Sequence, residues 1–146
     1  MRPLLAAALV LSIAALPAIA AGHPPATPGR ATELHSEASV AGESLDAFVA
    51  RIAPRARAAS VSARSVVCGE ITGAGPYAVT LKTDGRQDWC EVPKTASPYL
   101  LVNGIANAAR EDHIPAIYYR RPGYLITPWS IKFQDRSGVR RVAQGQ

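Results

Sequence analysis

Two cysteines, Cys68 and Cys90, are the only thiols in this 146-residue chain, and an apolar leader precedes them. The leader, residues 1–20, reads MRPLLAAALVLSIAALPAIA. Arg2 supplies a short positive region, Leu4–Leu16 an apolar one, Pro17 a break and Ala18-Ile19-Ala20 a small-residue cleavage site. The apolar run is short for a hydrocarbon layer of about 30 Å, so the expectation is a cleaved secretory signal rather than a membrane anchor. No cysteine lies near the cleavage point, which argues against a lipid anchor. The destination is then the periplasm or the cell exterior, where thiols oxidise. Cys68 and Cys90 are therefore expected to pair. Closing a loop of about 20 residues is worth about 3 kcal/mol in the chain-entropy model. A reactive thiol is the rival reading.

Residues 21–42 combine Pro, Gly and small polar residues without periodicity. Such a stretch buries too little apolar surface to offset its ordering entropy, so it reads as a disordered tail or linker. His23 and His35 fall in it, with no cysteine beside them to complete a metal site. Residues 43–146, about 105 in all, then form one domain of common size. No later segment reaches about 20 continuous apolar residues, so no membrane span is expected after the leader. Loss of Arg2 with the leader lowers the net charge from +5 to +4.

Within the domain, Glu43-Ser44 offers a helix N-cap, with Asp46 and Glu43 near the positive dipole end. Leu45, Phe48, Val49 and Ile52 recur at helical spacing, and Pro54 is expected to kink or end the first half of that helix. Ser65–Ile71 is rich in strand formers, and 72–76 is a turn cluster. In 77–83 Tyr77, Val79 and Leu81 alternate with polar residues and share one face. Trp89–Val92 is expected as a short strand carrying Cys90, so that the disulfide ties two strands, or a strand and a neighbouring loop. Tyr99–Val102 is an apolar run too short to type, and Asn103–Asp112 carries helical spacing. Gly123–Thr127 and Ser130–Phe133 read as a hairpin, with an edge strand at 139–142. The fold class is α+β: a mostly antiparallel sheet with one or two packed helices and one disulfide.

Two segments carry a resemblance. One is a helix followed by Val66-Val67-Cys68-Gly69-Glu70-Ile71-Thr72-Gly73. The other is Asp112, then Pro122-Gly123-Tyr124-Leu125-Ile126-Thr127-Pro128, then Ile131-Lys132-Phe133. Over Glu43–Phe133 the chain resembles the JAB/MPN (JAMM) metallopeptidase-like domains. The resemblance implies a helix leading into an early strand and a late strand pair closing the sheet. In that family an H-x-H pair and a downstream Asp hold zinc. A Glu on the early strand takes a proton from the metal-bound water, and a Ser supports the transition state. Anchored on Asp112, the Ser position falls on Ala109, the His positions on Tyr99 and Leu101, and the Glu position on Val66. Only Asp112 keeps the family's residue type. The helical pattern from Asn103 also departs from the loop the family has there. The resemblance therefore implies a metal-less relative, with no metal and no cofactor.

No G-x-S-x-G elbow, phosphate-binding loop or dinucleotide fingerprint occurs. His113 is the lone histidine beyond residue 42. The basic residues Arg120, Arg121, Lys132, Arg136, Arg140 and Arg141 face only Asp135 in the same stretch, and Tyr118, Tyr119, Tyr124 and Trp129 interleave with them. Arg with aromatics is the composition of a recognition surface. The expectation is a non-catalytic exported binding protein. Its contacts would be Tyr118, Tyr119, Arg120, Arg121, Trp129, Arg140 and Arg141. Its partner would be a protein or an anionic envelope component, rather than nucleic acid. Neutralising an envelope-acting partner suits that size and charge. The alternative is a small exported hydrolase using Asp112, His113 and a carboxylate such as Glu70.

Overall fold

The Ser44 side chain accepts the Ala47 backbone N–H at 3.2 Å and so starts α1 (Leu45–Ala63). The computed structural model describes residues 31–91, 95, 97–106 and 121–144. Glu43 supports the helix start, accepting the Val40 N–H at 3.0 Å and Arg51 Nε–H at 2.8 Å. The buried stripe Phe48, Val49, Ile52, Ala53, Ala56 and Ser60 follows the helical period. Pro54 neither ends nor divides α1. It sits on the exposed side, and the stripe holds the turns before and after it against the sheet. That burial offsets a helix-interior penalty of about 3 kcal/mol. Arg64 closes the helix in the left-handed conformation, its N–H donating to Ser60 O and Val61 O.

One seven-stranded sheet takes the order β1 (Thr32–Ala38), β3 (Ala78–Thr83), β2 (Val67–Thr72), β4 (Tyr99–Val102), β5 (Gly123–Ile126), β6 (Ser130–Asp135) and β7 (Gly138–Gln144). Every neighbouring pair is antiparallel except β4 with β5, which are parallel. The fold is α+β, and among the described residues α1 is its one helix. That helix is not long and apolar enough to cross a membrane. The expected β5–β6 hairpin forms, with Tyr124 opposite Phe133 and Ile126 opposite Ile131. The expected edge strand at 139–142 is the middle of β7.

Three local expectations change. Residues 32–38, read within a disordered linker, form β1, so the folded unit begins before residue 43. What orders them is a backbone ladder to β3, together with a Ser36–Thr80 hydroxyl pair at 2.8 Å and an Arg55–Glu37 bond at 2.8 Å. None of these leaves an apolar signature. Residues 89–91 are not a strand. Asp84 Oδ1 accepts the Arg86 N–H at 3.1 Å, and the Arg86 guanidinium lies 4.2 Å from the Trp89 ring centre, so local turn contacts replace a ladder. Cys90 therefore reaches its partner from a loop. At the start of the expected helix Asn103–Asp112, Asn103–Ala106 form a turn, with the Ala106 N–H donating to Asn103 O at 3.3 Å. Residues 107–112 lie outside the described residues, as do residues 1–30.

The pleat assigns side chains to two faces. Val67, Ile71, Val79, Leu81, Leu100, Val102, Tyr124, Ile126 and Ile131 pack with α1 in the main core. Val66, Cys68, Cys90, Tyr99, Leu101 and Leu125 form a second buried cluster on the opposite face.

Candidate binding surface

The second cluster is closed by the disulfide Cys68–Cys90. It joins β2 to the loop after β3, so neither thiol is free. Tyr99 lies flat over Gly123, its partner across the parallel pair, where any Cβ would meet the ring. The Gln134 side-chain amide donates to the Tyr99 hydroxyl. Val66 and Tyr99 are 1% exposed and Leu101 3%. The positions that the family resemblance assigns to the general base and the two histidines therefore meet in one apolar cluster. Ala109, at the Ser position, and Asp112 lie outside the described residues.

Glu70 stands two residues beyond Cys68 on the same face of β2. Thr95 Oγ1–H donates to Glu70 Oε1. Arg121 Nη2 donates to Thr95 Oγ1 at 2.9 Å and to Ser97 O at 2.7 Å, and its Nε donates to Ser97 O at 3.1 Å. Arg121 Nη2 is 4.0 Å from Glu70 Oε1, and the guanidinium lies 5.9 Å from the Tyr99 ring centre. The structure thus joins two residues that the sequence assigned to different roles. Arg121 ties Thr95 and Ser97 to the start of β5. Beside Glu70 is a shallow depression of about 260 Å³, lined also by Glu33, Thr72, Thr80 and Lys82.

Arg140 sits on the other face. It grips Asp46 with two bonds, 2.7 Å from Nη1 and 2.9 Å from Nη2, and covers the Phe133 ring at 4.7 Å. The Tyr124 hydroxyl donates to the same carboxylate at 2.6 Å. Arg140 chiefly, and Tyr124 after it, hold the Asp46 carboxyl below its ordinary range against the opposing effect of burial. Burial, then the Asp46 carboxylate, push the Tyr124 hydroxyl well above its ordinary value. Arg121 and Arg140 therefore face opposite sides of the sheet, each bonded within the fold. Arg141 is exposed, and it stands opposite Lys132 across the β6–β7 pair. Trp129 is 39% exposed at the tip of the β5–β6 turn, whose ends are joined by the Thr127 N–H donating to Ser130 O at 2.9 Å. Tyr118, Tyr119, Arg120, Asp112 and His113 lie outside the described residues.

One residue of this surface escaped the sequence reading. Arg57, in the second half of α1, donates from Nε to Thr127 O at 2.7 Å. Its Nη2 is buried without a hydrogen-bond partner, and burial lowers its pKa from the ordinary guanidinium value. The available signal was its place beside the buried Ala56 and three residues before the buried Ser60. Among the described residues no three His, Cys, Asp or Glu side chains gather into a metal-binding group. Compared with protein-family models, curated proteins and solved structures, the chain has no match, and its function is argued from these residues alone.

Proposed function

We propose that the chain is an exported, non-catalytic binding protein, a metal-less relative of the JAB-like metallopeptidase domains. It engages a protein or anionic envelope component through its basic and aromatic C-terminal surface, and it serves to neutralise an envelope-acting partner. The observation that carries this reading is the filled centre. Val66, Tyr99 and Leu101, which the resemblance places where a base and two zinc ligands belong, pack together under the Cys68–Cys90 disulfide. Val66 and Leu101 carry no ligand atom, and the Tyr99 hydroxyl is engaged by the Gln134 amide. Glu70, the carboxylate of the hydrolase alternative, accepts a hydrogen bond from Thr95 beside Arg121. The exposed Trp129 and Arg141 are free to meet a partner, and Trp and Arg are the residues that most often dominate binding energy.

The test is affinity capture from an envelope fraction with the mature protein and its Trp129→Ala/Arg141→Glu variant. Loss of one stoichiometric partner in the variant supports the reading. Equal capture by both, or stoichiometric zinc in the purified protein, overturns it.

A further inference from the structure

The two outer strands of the sheet, β1 and β7, are each seven residues long. Among the described residues neither has a neighbour on its outer side. An unpaired strand edge presents a row of backbone donors and acceptors to any strand that can reach it. The two edges differ in sign. β1 carries Glu33 and Glu37 with no Lys or Arg, whereas β7 carries Arg140 and Arg141 with no Asp or Glu.

Part of that charge is already engaged. On the helix side of the sheet, Glu37 accepts from Arg55 at 2.8 Å and Arg140 donates to Asp46 at 2.7 Å. On the other side one charge of each sign is left over. Glu33 is exposed, opposite Lys82 across the β1–β3 pair, and Arg141 is exposed, opposite Lys132 across the β6–β7 pair. Lys82 and Lys132 follow the core residues Leu81 and Ile131, so both positions lie on the face away from α1. Neither Glu33 nor Arg141 makes an ion pair or a side-chain hydrogen bond among the described residues.

The sheet also sets the direction of the edges. Each step across it reverses the chain except the step from β4 to β5, so β1 and β7 run in opposite directions. A second copy set beside the first, with α1 on the same side, therefore offers its β1 antiparallel to β7. Glu33 and Arg141 then share one face of the joined sheet. The symmetric alternatives are repelled. Pairing β7 with β7 brings four Arg together, and pairing β1 with β1 brings Glu against Glu.

We propose that β1 of one copy of this chain adds to β7 of the next, head to tail, with Glu33 meeting Arg141. A contact between two different edges does not close in a pair, so it extends to a row or a ring. Each outer pair has a break in register, between Glu33 and His35 in β1 and between Ile131 and Lys132 beside β7, which shortens the ladder an incoming strand can make. An exposed ion pair adds little, and the net charge of +5 opposes close approach of two copies. The contact is therefore weak and shows at high protein concentration. It does not rest on the envelope-binding reading, in which Glu33 has no part.

Sedimentation equilibrium of the oxidised mature protein, raised to about 1 mM in about 0.15 M salt, reads the contact. The average mass of wild type is expected to rise past that of a dimer. Glu33→Lys alone opposes two cations at the contact, and Arg141→Glu alone opposes two carboxylates, so each variant is expected to stay monomeric. An equimolar mixture of the two is expected to assemble again, because every contact in an alternating row joins opposite charges. The double variant Glu33→Lys/Arg141→Glu is expected to assemble like wild type. A misfolded variant gives neither rescue. Wild type that stays monomeric or stops at a dimer, single variants that assemble like wild type, or a mixture and a double variant that both stay monomeric overturn the proposal. If wild type is monomeric alone while Arg141→Glu loses an envelope partner, β7 serves another protein and self-pairing falls.

Discussion

The carboxylate of Asp46 and the guanidinium of Arg140 are 94 residues apart in the chain and meet through two bonds of 2.7 and 2.9 Å. The pair fastens the first turn of α1 to the edge strand β7, with the Tyr124 hydroxyl as a third member. Asp46→Asn is expected to cost about 1 kcal/mol, since the pair is 40% and 51% exposed and the Tyr124 bond is weakened with it. The folded Asp46 carboxyl is depressed, so its contribution is present above the unfolded value near 3.9 and is lost as pH falls through the folded value. Urea unfolding at pH 7 and pH 3 checks this. Wild type should lose more stability between those two conditions than Asp46→Asn does.

The Cys68–Cys90 bond closes 22 positions of chain and seals the second cluster. Replacing both cysteines with Ser is expected to lower unfolding stability by about 3 kcal/mol, a large part of the total for a domain of this size. Denaturant midpoints with and without reductant measure the same quantity in wild type, and equal midpoints contradict it.

Gly123 is required by Tyr99. An alanine methyl at 123 would enter the Tyr99 ring, which is buried and cannot swing outward. Gly123→Ala is expected to destabilise by about 1–3 kcal/mol through overpacking. Adding Tyr99→Leu to Gly123→Ala should recover part of the loss, a non-additivity that a double-mutant cycle in urea detects.

Arg121 and Arg141 should behave differently although both are basic residues of the C-terminal third. Arg121→Ala removes the bonds to Ser97 O and Thr95 Oγ1 and is expected to cost about 1–2 kcal/mol. Arg141→Ala, at an exposed position, should stay within about 0.5 kcal/mol of wild type. Thermal midpoints for the two variants decide the matter, and equal losses would contradict the structural role of Arg121.

Much of the local structure was legible before any coordinates. Ser44 as the cap and Phe48, Val49 and Ile52 on one face of α1 follow from a side-chain oxygen and a 3.6-residue period, both local properties. Val79 and Leu81 facing the helix follow from strand alternation. Two cysteines behind an apolar N-terminal segment already pointed to the disulfide that the fold contains.

Other features depended on partners distant in sequence. Strand β1 is ordered by the ladder of β3, 40 or more residues away, and its own side chains advertise little. Arg121 and Arg140 look alike in a basic stretch, but the pleat and the bonds to Ser97 and Asp46 send them to opposite faces. The periodic elements, the thiol pair and the charge excess of the C-terminal third can be read from residue order, because these depend on neighbours along the chain. The closure of Val66, Tyr99 and Leu101 into one cluster and the unspent donor of Arg57 come from packing, because burial and hydrogen-bond satisfaction are settled between strands and helix rather than within them.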